Sequence, residues 1–331
     1  MSTVRMPELR RVTRRNPCPV CEKPDWCSVS EDGALAICMR VERDSLRRTK
    51  NGGFVHRVRA AVEIPRRDLP AWTARRPRCS PQTADAVYRA LLDRLMLSAA
   101  AANALCVDRQ LSDDTVVRNL YASVPRIEAL AAHCADIAAT LALDRVPGFF
   151  RSGQRWMLNA REGELVIPVR DAHGRIAGCQ LRSDQGGRRY RWLSSSGRSH
   201  GASPGAPIHF AAPERARASG VALLTEGVLK ADCISESLHC AVVGLPGAGA
   251  FTDAIGEYLR SELPALDRVK VAFDADAWTN AAVSSALTRL VECLQRARLT
   301  VSVLRWDGAL GKGLDDVLHA HARELLSAVS A

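Results

Sequence analysis

Two stretches decide the fold of this chain: residues 221–227 read VALLTEG, and residues 269–276 read VKVAFDAD. In each stretch, a short run rich in aliphatic and β-branched residues leads into an acidic residue. This pattern is typical of a buried strand followed by a turn. The surrounding pattern predicts helices at 228–239, 280–297 and after Leu314, strands at 241–243 and 300–304, and a tight loop at 244–249. The alternation of strand and helix predicts an α/β domain with a mainly parallel sheet over residues 216–331.

Acidic side chains follow both deciding strands at the same end. Glu226 closes the first strand, and Asp274 and Asp276 follow the second. Because the carboxyl ends of parallel strands meet at one edge of a sheet, we expect these carboxylates to lie together and bind Mg²⁺ or Mn²⁺. A single acid after a strand is more often a helix cap or a solvated turn, so the prediction depends on all three. Further candidate ligands or phosphate contacts are Lys230, Lys312, Asp315 and Asp316, although a lone lysine is more often a surface residue.

Four of the eleven cysteines are concentrated near the beginning of the sequence. Cys18, Cys21, Cys27 and Cys38 fall within 21 residues, and the first pair has the C-x-x-C spacing of a zinc knuckle. Between the last two, residues 28–30 and 35–37 flank Glu31-Asp32-Gly33, which predicts a β-hairpin. We interpret residues 1–58 as a zinc ribbon with Zn²⁺ in a structural role. The alternative is four ordinary cysteines, or a disulfide pair, in a small basic segment.

The charge distribution favours a polyanionic partner. The 331 residues contain 46 basic and 36 acidic side chains, a net charge of +10, and residues 1–78 hold 18 of the basic and nine of the acidic ones. A second basic zone, 145–198, contains a predicted hairpin followed by a strand in which arginine and aromatic residues alternate. Candidate nucleic-acid contacts here are Arg182, Arg188, Arg189, Arg191 and Trp192. The alternative is a solvated basic face of a sheet.

Proline and arginine dominate residues 59–81, which we interpret as a linker. Residues 82–215 begin with amphipathic helical patterns and then contain the basic hairpin, so they are expected to form a mixed α+β basic subdomain. No apolar run is long enough to span a bilayer, and residues 1–17 lack the apolar core of a signal peptide. We therefore expect a cytoplasmic protein without a membrane partner.

The order of these features resembles that of bacterial-type DNA primases. Glu226-Gly227 and Asp274-Ala275-Asp276 resemble the motifs of the TOPRIM domain, which that family shares with topoisomerases and some nucleases. The string ELVIPVRDAHGRIAGCQLR, followed by RYRWLSS, is similar to the basic subdomain of the family, and the likeness runs in order over roughly residues 16–325. The sequence departs from the family at three places: four cysteines replace the usual Cys-His-Cys-Cys set, Lys230 stands where an aspartate is usual, and Gly313-Leu314-Asp315 replaces the last Asp-x-Asp. These departures resemble a divergent phage, plasmid or mobile-element branch.

The resemblance implies Mg²⁺- or Mn²⁺-dependent synthesis of short RNA primers from nucleoside triphosphates on a single-stranded DNA template. In that family the TOPRIM glutamate, here Glu226, acts as a metal ligand or as a general acid or base. No Gly-x-x-x-x-Gly-Lys-Ser/Thr phosphate loop occurs, so a replicative helicase is expected to be supplied by another chain.

Three other functions compete with primer synthesis. A TOPRIM nuclease would use the same metal-binding carboxylates, and a non-catalytic DNA-binding replication accessory protein would keep only the fold. Topoisomerase activity is disfavoured because it needs a tyrosine nucleophile, for which only Tyr88, Tyr121, Tyr190 and Tyr258 are available.

Overall fold

The computed structural model describes residues 9–31, 33–49, 52–58, 78–183 and 190–329, with side chains as far as residue 321. The chain divides into two compact units, Met1–Ala71 and Trp72–Ala331. Within the described ranges, no helix combines the length and the apolar composition needed to cross a bilayer.

The first unit contains a small antiparallel sheet with the strand order β1-β2-β3-β5-β4. The strands are β1 (Leu9–Arg11), β2 (Ser28–Ser30), β3 (Leu35–Cys38), β4 (Arg47–Arg48) and β5 (Phe54–Arg57). β2 and β3 pair antiparallel, with Val29 opposite Ala36, which confirms the predicted hairpin. Asp32 of its turn lies outside the described residues.

Cysteines make up half of the buried apolar residues described in this unit. Its buried apolar cluster consists of Val12, Cys18, Cys27 and Cys38, with a few half-buried valines and Cys21 packed against it. So small a core cannot stabilise a unit of this size by apolar burial alone, and such units usually need a metal or a disulfide. The sheet therefore depends on what the thiols hold.

The second unit begins with helices, as the amphipathic pattern predicts. They are α1 (Pro81–Leu92), α2 (Ala99–Cys106), α3 (Asp113–Arg118) and α4 (Ile127–Ala138). Ser80, Ser98 and Ser112 each accept a hydrogen bond from a backbone N–H of the first turn, which fixes where the first three helices start. Of the predicted linker, residues 59–77 lie outside the described residues.

Two antiparallel sheets follow in the chain. β6 (Ala122–Ser123), β9 (Leu165–Arg170), β10 (Ile176–Arg182) and β11 (Tyr190–Trp192) form a four-stranded sheet in the order β11-β10-β9-β6, while β7 (Phe149–Ser152) and β8 (Arg155–Leu158) pair with each other. The pairing of β9 with β10 confirms the predicted basic hairpin, with one irregularity in register between Ile176 and Gly178.

The rest of the chain forms a five-stranded sheet covered by helices. The strand order is β12-β14-β13-β15-β16, in which the last four strands are parallel and β12 is an antiparallel edge. The strands are β12 (His209–Ala211), β13 (Val221–Glu226), β14 (Val242–Leu245), β15 (Arg268–Ala272) and β16 (Thr300–Val303). The helices are α5 (Pro213–Ser219), α6 (Val228–Leu238), α7 (Ile255–Glu262), α8 (Ala281–Arg296) and α9 (Leu314–Val329).

This arrangement confirms the predicted α/β alternation and corrects it in one place. Gly244 and Leu245 belong to β14, so the loop predicted at 244–249 starts two residues too early. A glycine is needed inside this strand because a Cβ on Gly244 would lie 2.9 Å from the carbonyl oxygen of Gly227. Gly227 itself has a φ of +95°, which lets the chain turn sharply from β13 into α6.

A buried carboxylate joins the antiparallel sheet to the α/β sheet. Asp232 of α6 accepts hydrogen bonds from the Tyr121 hydroxyl at 2.5 Å and from Nε2 of His209 at 3.0 Å. The other ring nitrogen of His209 accepts the backbone N–H of Arg170 at the end of β9. Burial alone would raise the pKa of Asp232, but the hydrogen bonds from His209 and from the Tyr121 hydroxyl lower it below its usual value. Asp232 is therefore held as a charged, fully partnered group.

Replacing Tyr121 with phenylalanine should weaken this junction. The variant Tyr121→Phe removes one donor from a buried carboxylate, and we expect it to lower the free energy of unfolding by about 1.5–3 kcal/mol. Chemical denaturation followed by circular dichroism measures the change. Tyr258→Phe, at a tyrosine with 37% of its surface exposed, is the matched control and should shift stability by less than about 0.5 kcal/mol. Equal losses in the two variants would contradict the structural role of the Tyr121 hydroxyl.

Candidate functional site

The three acidic residues predicted to form a site lie together at one edge of the five-stranded sheet. Glu226 is the last residue of β13, and Asp274 follows the end of β15 by two positions. Because β13 and β15 are parallel neighbours, the chain leaves both strands at the same level. A short 3₁₀ helix, Ala275–Trp278, then turns the chain and brings Asp276 to the same place. One carboxylate oxygen from each of the three residues lies within 4.8 Å of the others.

The carboxylates repel one another in a partly desolvated setting. Asp274 has only 4% of its surface exposed. Burial, followed by the neighbouring charge of Asp274, raises the pKa of Glu226 above its usual value. An arrangement of this kind needs positive charge close by.

Two lysines supply that charge. The Lys230 ammonium pairs with Oδ1 of Asp274. The Lys312 ammonium lies 3.3 Å from Oδ2 of the same residue and 3.8 Å from Oδ2 of Asp276. The charge of Asp274 is the main cause of a raised pKa at Lys312, which is thus held in its protonated form. The loop of Lys312 is also tied to the site through the backbone, because its carbonyl oxygen accepts the N–H of Ala275 at 2.8 Å.

This donor set fits a divalent cation such as Mg²⁺ or Mn²⁺. Three hard carboxylate oxygens on converging elements are the ligands that these ions prefer, and they leave positions for water or phosphate oxygens. The partly buried setting strengthens the attraction of the carboxylates for such an ion. The residues that would hold it are Glu226, Asp274 and Asp276.

The carboxylates open into a cleft of about 620 Å³. The same cleft is also lined by Arg109, which follows α2, and by Gln180 and Tyr190 of the antiparallel sheet. Arg109 was not predicted as a site residue, because it follows α2 and has no motif around it. Its partner in the fold is 206 positions away in the sequence: Nη1 of Arg109 lies 2.6 Å from Oδ2 of Asp315.

Asp315 and Asp316 lie beside the carboxylate group rather than in it. Among the described residues, the ligand atoms that lie close to those of Glu226 belong to Asp274 and Asp276, and not to these two aspartates. Asp315 is buried and paired with Arg109, and burial followed by the charge of Asp316 raises its pKa. Oδ2 of Asp316 accepts the backbone N–H of Gly313 at 3.0 Å, an interaction that supports the start of α9. Both aspartates thus have a structural partner at Oδ2, whereas Oδ1 of Asp315 is buried without a hydrogen-bond partner among the described residues.

The candidate nucleic-acid contacts have mixed surroundings. Nε and Nη2 of Arg191 donate to the two oxygens of the buried Glu164 carboxylate, at 2.9 and 2.5 Å, which favours a structural role for this arginine. Trp192 is half-buried and packs on the core beneath β9. Arg182 is 9% exposed and lines a second pocket, of about 300 Å³, together with Arg109. Arg188 and Arg189 lie outside the described residues.

A different surface combines arginine with aromatic rings. The guanidinium carbon of Arg151 lies 5.1 Å from the ring centre of Trp156, and that of Arg198 lies 4.3 Å from the ring centre of Phe150. Both aromatic residues belong to the β7–β8 hairpin. The alternation of arginine and aromatic residues in FFRSGQRW, residues 149–156, was the signal that could have identified this surface. Such pairs can stack on bases and neutralise phosphates.

The four cysteines of the first unit form a second candidate metal centre. Their sulfur atoms all lie within 4.8 Å of one another. The Cys21–Cys27 and Cys27–Cys38 sulfur distances are 3.7 and 4.0 Å, close to the roughly 3.8 Å expected for thiolates at a tetrahedral zinc ion. Backbone N–H groups of Met39, Arg40 and Val41 point at the sulfurs of Cys27 and Cys38 and would stabilise thiolate charge. The cluster therefore fits Zn²⁺.

Comparisons with known proteins agree with this architecture. Residues 217–325 match a family described only as a domain of unknown function, DUF3854. No curated protein matches the chain. Solved structures with a similar fold are bacterial primase domains. One is the Aquifex aeolicus primase with its zinc-binding and RNA polymerase domains, at a TM-score of 0.56 and 17% identity. The match covers 75% of this chain and 62% of that one, so this chain spans less than two thirds of its length.

Two further structures of the same kind contain DNA. The catalytic domain of DnaG primase bound to single-stranded DNA gives a TM-score of 0.55 at 16% identity, covering 75% of this chain and 77% of that one. The RNA polymerase domain of Mycobacterium tuberculosis DnaG, in complex with a double-stranded DNA oligomer with a 6-nucleotide overhang, gives 0.54 at 16% identity, covering 76% and 81%. At these identities the likeness establishes a primase-like fold.

Removal of two zinc ligands should empty the cysteine cluster. We expect the double variant Cys18→Ser/Cys21→Ser to lose the zinc of the wild-type chain, about one ion per molecule, because serine hydroxyls do not replace thiolates at zinc. Metal content of the purified protein, by plasma mass spectrometry, measures this loss. Cys106→Ser is the control, since the Cys106 sulfur lies 3.3 Å from Asp113 and outside the cluster. Zinc retained by the double variant, or lost from the control, would contradict the assignment.

Proposed function

We propose that this chain is a primase-type nucleotidyltransferase that makes short RNA primers on single-stranded DNA with Mg²⁺ or Mn²⁺. The observation that carries the proposal is the group of three carboxylates at the strand ends, which faces a cleft of about 620 Å³ in a primase-like fold. Template-directed primer synthesis needs a divalent-cation site in a cleft that admits both a nucleotide and a strand. The cysteine cluster in the preceding unit supports the same family of enzymes.

The residues of the cleft would have different roles in phosphoryl transfer. A divalent ion held by Glu226, Asp274 and Asp276 would neutralise the triphosphate and the charge that develops during in-line attack by the 3′-hydroxyl. Lys312 has a side chain that is 67% exposed, so it can leave the carboxylates and bind a phosphate oxygen. In the alternative role, Glu226 would exchange a proton with the attacking or leaving oxygen in place of direct ligation.

The template would bind to positive and aromatic surfaces of the same unit. The arginine–aromatic pairs of the β7–β8 hairpin support this role, because they offer both phosphate neutralisation and stacking. Primase structures similar in fold to this chain are bound to DNA, which makes nucleic acid the favoured ligand. The candidate contacts Arg182, Arg188, Arg189, Arg191 and Trp192 remain proposals, and the pairing of Arg191 with Glu164 argues for a structural role there.

The wider setting of the protein follows from the same proposal. We assign residues 216–331 to a TOPRIM domain, 82–215 to the basic catalytic subdomain and 1–58 to a zinc module that positions the start site. Nucleoside triphosphates are the substrates, and a replicative helicase on another chain is the expected partner. The four-cysteine site and Lys230 support a place in a phage, plasmid or mobile-element branch.

Primer synthesis should depend on the carboxylate group. Purified protein is incubated with single-stranded DNA, labelled ribonucleotides and Mg²⁺ or Mn²⁺, and the products are separated by size. We expect short products from the wild type and a loss of at least about 100-fold in Asp274→Ala, since loss of one electrostatic contact to the reacting group typically costs that much. Glu292→Ala, which removes an exposed acid of α8, is the matched control and should retain full synthesis.

The same assay separates the competing functions. Shortened DNA in place of new RNA, abolished by Asp274→Ala, would replace the proposal with a TOPRIM nuclease. DNA binding without either activity would replace it with a non-catalytic replication accessory protein.

A further inference from the structure

The ammonium group of Lys230 is enclosed between two acidic parts of the site. The residue lies in the first turn of α6, its side chain is 23% exposed, and it pairs with Oδ1 of Asp274. On its other side is Gly313: a Cβ placed there would lie 3.1 Å from the Lys230 nitrogen and would collide with Oδ1 of Asp315. The ammonium therefore pairs with Asp274 and also lies close to the Asp315 carboxylate, on which its charge acts.

Lys312 holds the same aspartate in a different way. Its side chain is 67% exposed, and its nitrogen lies 3.3 Å from Oδ2 of Asp274. An exposed lysine loses little by moving into solvent, whereas Lys230 is confined by α6 and by the Gly313 loop. The two oxygens of Asp274 thus differ: Oδ2 can be released to a metal ion, and Oδ1 stays with an enclosed cation.

We propose that Lys230 is a built-in cation that limits the carboxylate group to one divalent ion. The inference rests on the proposed function of this site and specifies its metal stoichiometry. A second ion bound to both Asp274 and Asp315 would lie next to the ammonium, and two positive charges in contact repel strongly. Oδ2 of Asp315 and Oδ2 of Asp316 are also engaged already, by Arg109 at 2.6 Å and by the Gly313 N–H at 3.0 Å.

The single ion would then be held by Glu226, Asp276 and Oδ2 of Asp274. Lys230 would contribute a positive charge beside it, a role for which two-metal enzymes use a second ion. Because the lysine is part of the chain, this half of the site would not depend on the concentration of free metal. The ligand class is one hard divalent cation per chain, bound through oxygen.

Counting bound Mn²⁺ tests the inference without reference to activity. The zinc-loaded full chain is titrated with Mn²⁺, and free ions are measured by electron paramagnetic resonance. The number of ions that bind to the triple variant Glu226→Gln/Asp274→Asn/Asp276→Asn is subtracted, because these ions occupy sites elsewhere on the chain. We expect one Mn²⁺ in the wild type, one in Lys230→Arg, which keeps the charge, and two in Lys230→Asp, which replaces the cation with a ligand. Lys270→Asp, at an exposed lysine of β15, is the matched control and should stay at one.

Each other result has a definite meaning. Two ions in the wild type would overturn the inference and leave primer synthesis untouched. One ion in a folded Lys230→Asp would also overturn it, because something other than the lysine charge would then limit the site. If Lys230→Asp does not fold, Lys230→Met removes the charge at similar length, and a single ion there counts against the inference equally. No ion in the wild type would overturn both the inference and the proposed metal dependence of synthesis.

Discussion

The mutual repulsion of three carboxylates is the constraint around which the site is built. Two full charges no more than 4.8 Å apart repel by at least about 3.5 kcal/mol at an effective dielectric constant of 20, so the group needs compensating positive charge. Parallel pairing of β13 with β15 fixes Glu226 and Asp274 at one level, and Lys230 and Lys312 supply opposite charge on both oxygens of Asp274. The pKa of Glu226 is nevertheless raised, because the lysines do not fully offset its burial and the charge of Asp274. A strong attraction for a divalent cation is the consequence.

The cleft above these carboxylates keeps its shape through contacts from one short stretch of chain. Arg109 binds Asp315 at 2.6 Å, the Thr115 hydroxyl donates to Glu236 at 2.5 Å, and Tyr121 donates to Asp232 at 2.5 Å. All three acceptors lie on α6 or α9, whereas all three donors lie within residues 109–121. Hydrogen bonds to charged groups that exclude water are among the strongest that a protein makes. They fix the wall that carries Arg109 at a defined distance from the carboxylates.

The sequence predicted those parts of the molecule that depend on local pattern. Alternating and continuous apolar runs located β13, β15 and the β9–β10 hairpin, and parallel topology then predicted that Glu226 and Asp274 would meet. β12 was not predicted, because three residues are too few to show a hydrophobic period. The pairings of Arg109 with Asp315 and of Arg191 with Glu164 were not predicted, because only the tertiary fold brings these residues together. Asp315 and Asp316 look like ligands in the sequence, yet in the fold one pairs with an arginine and the other caps a loop.

The most direct test of this account is the position of a divalent ion in the folded chain. Crystals grown or soaked with Mn²⁺ would be measured at the manganese absorption edge, where the anomalous difference map locates the ion independently of any activity. The account predicts a peak within bonding distance of carboxylate oxygens of Glu226, Asp274 and Asp276, with the Lys312 ammonium displaced. A saturated crystal without a peak there, or with the ion bound only elsewhere, would contradict the assignment of these strand-end carboxylates as the metal-binding centre.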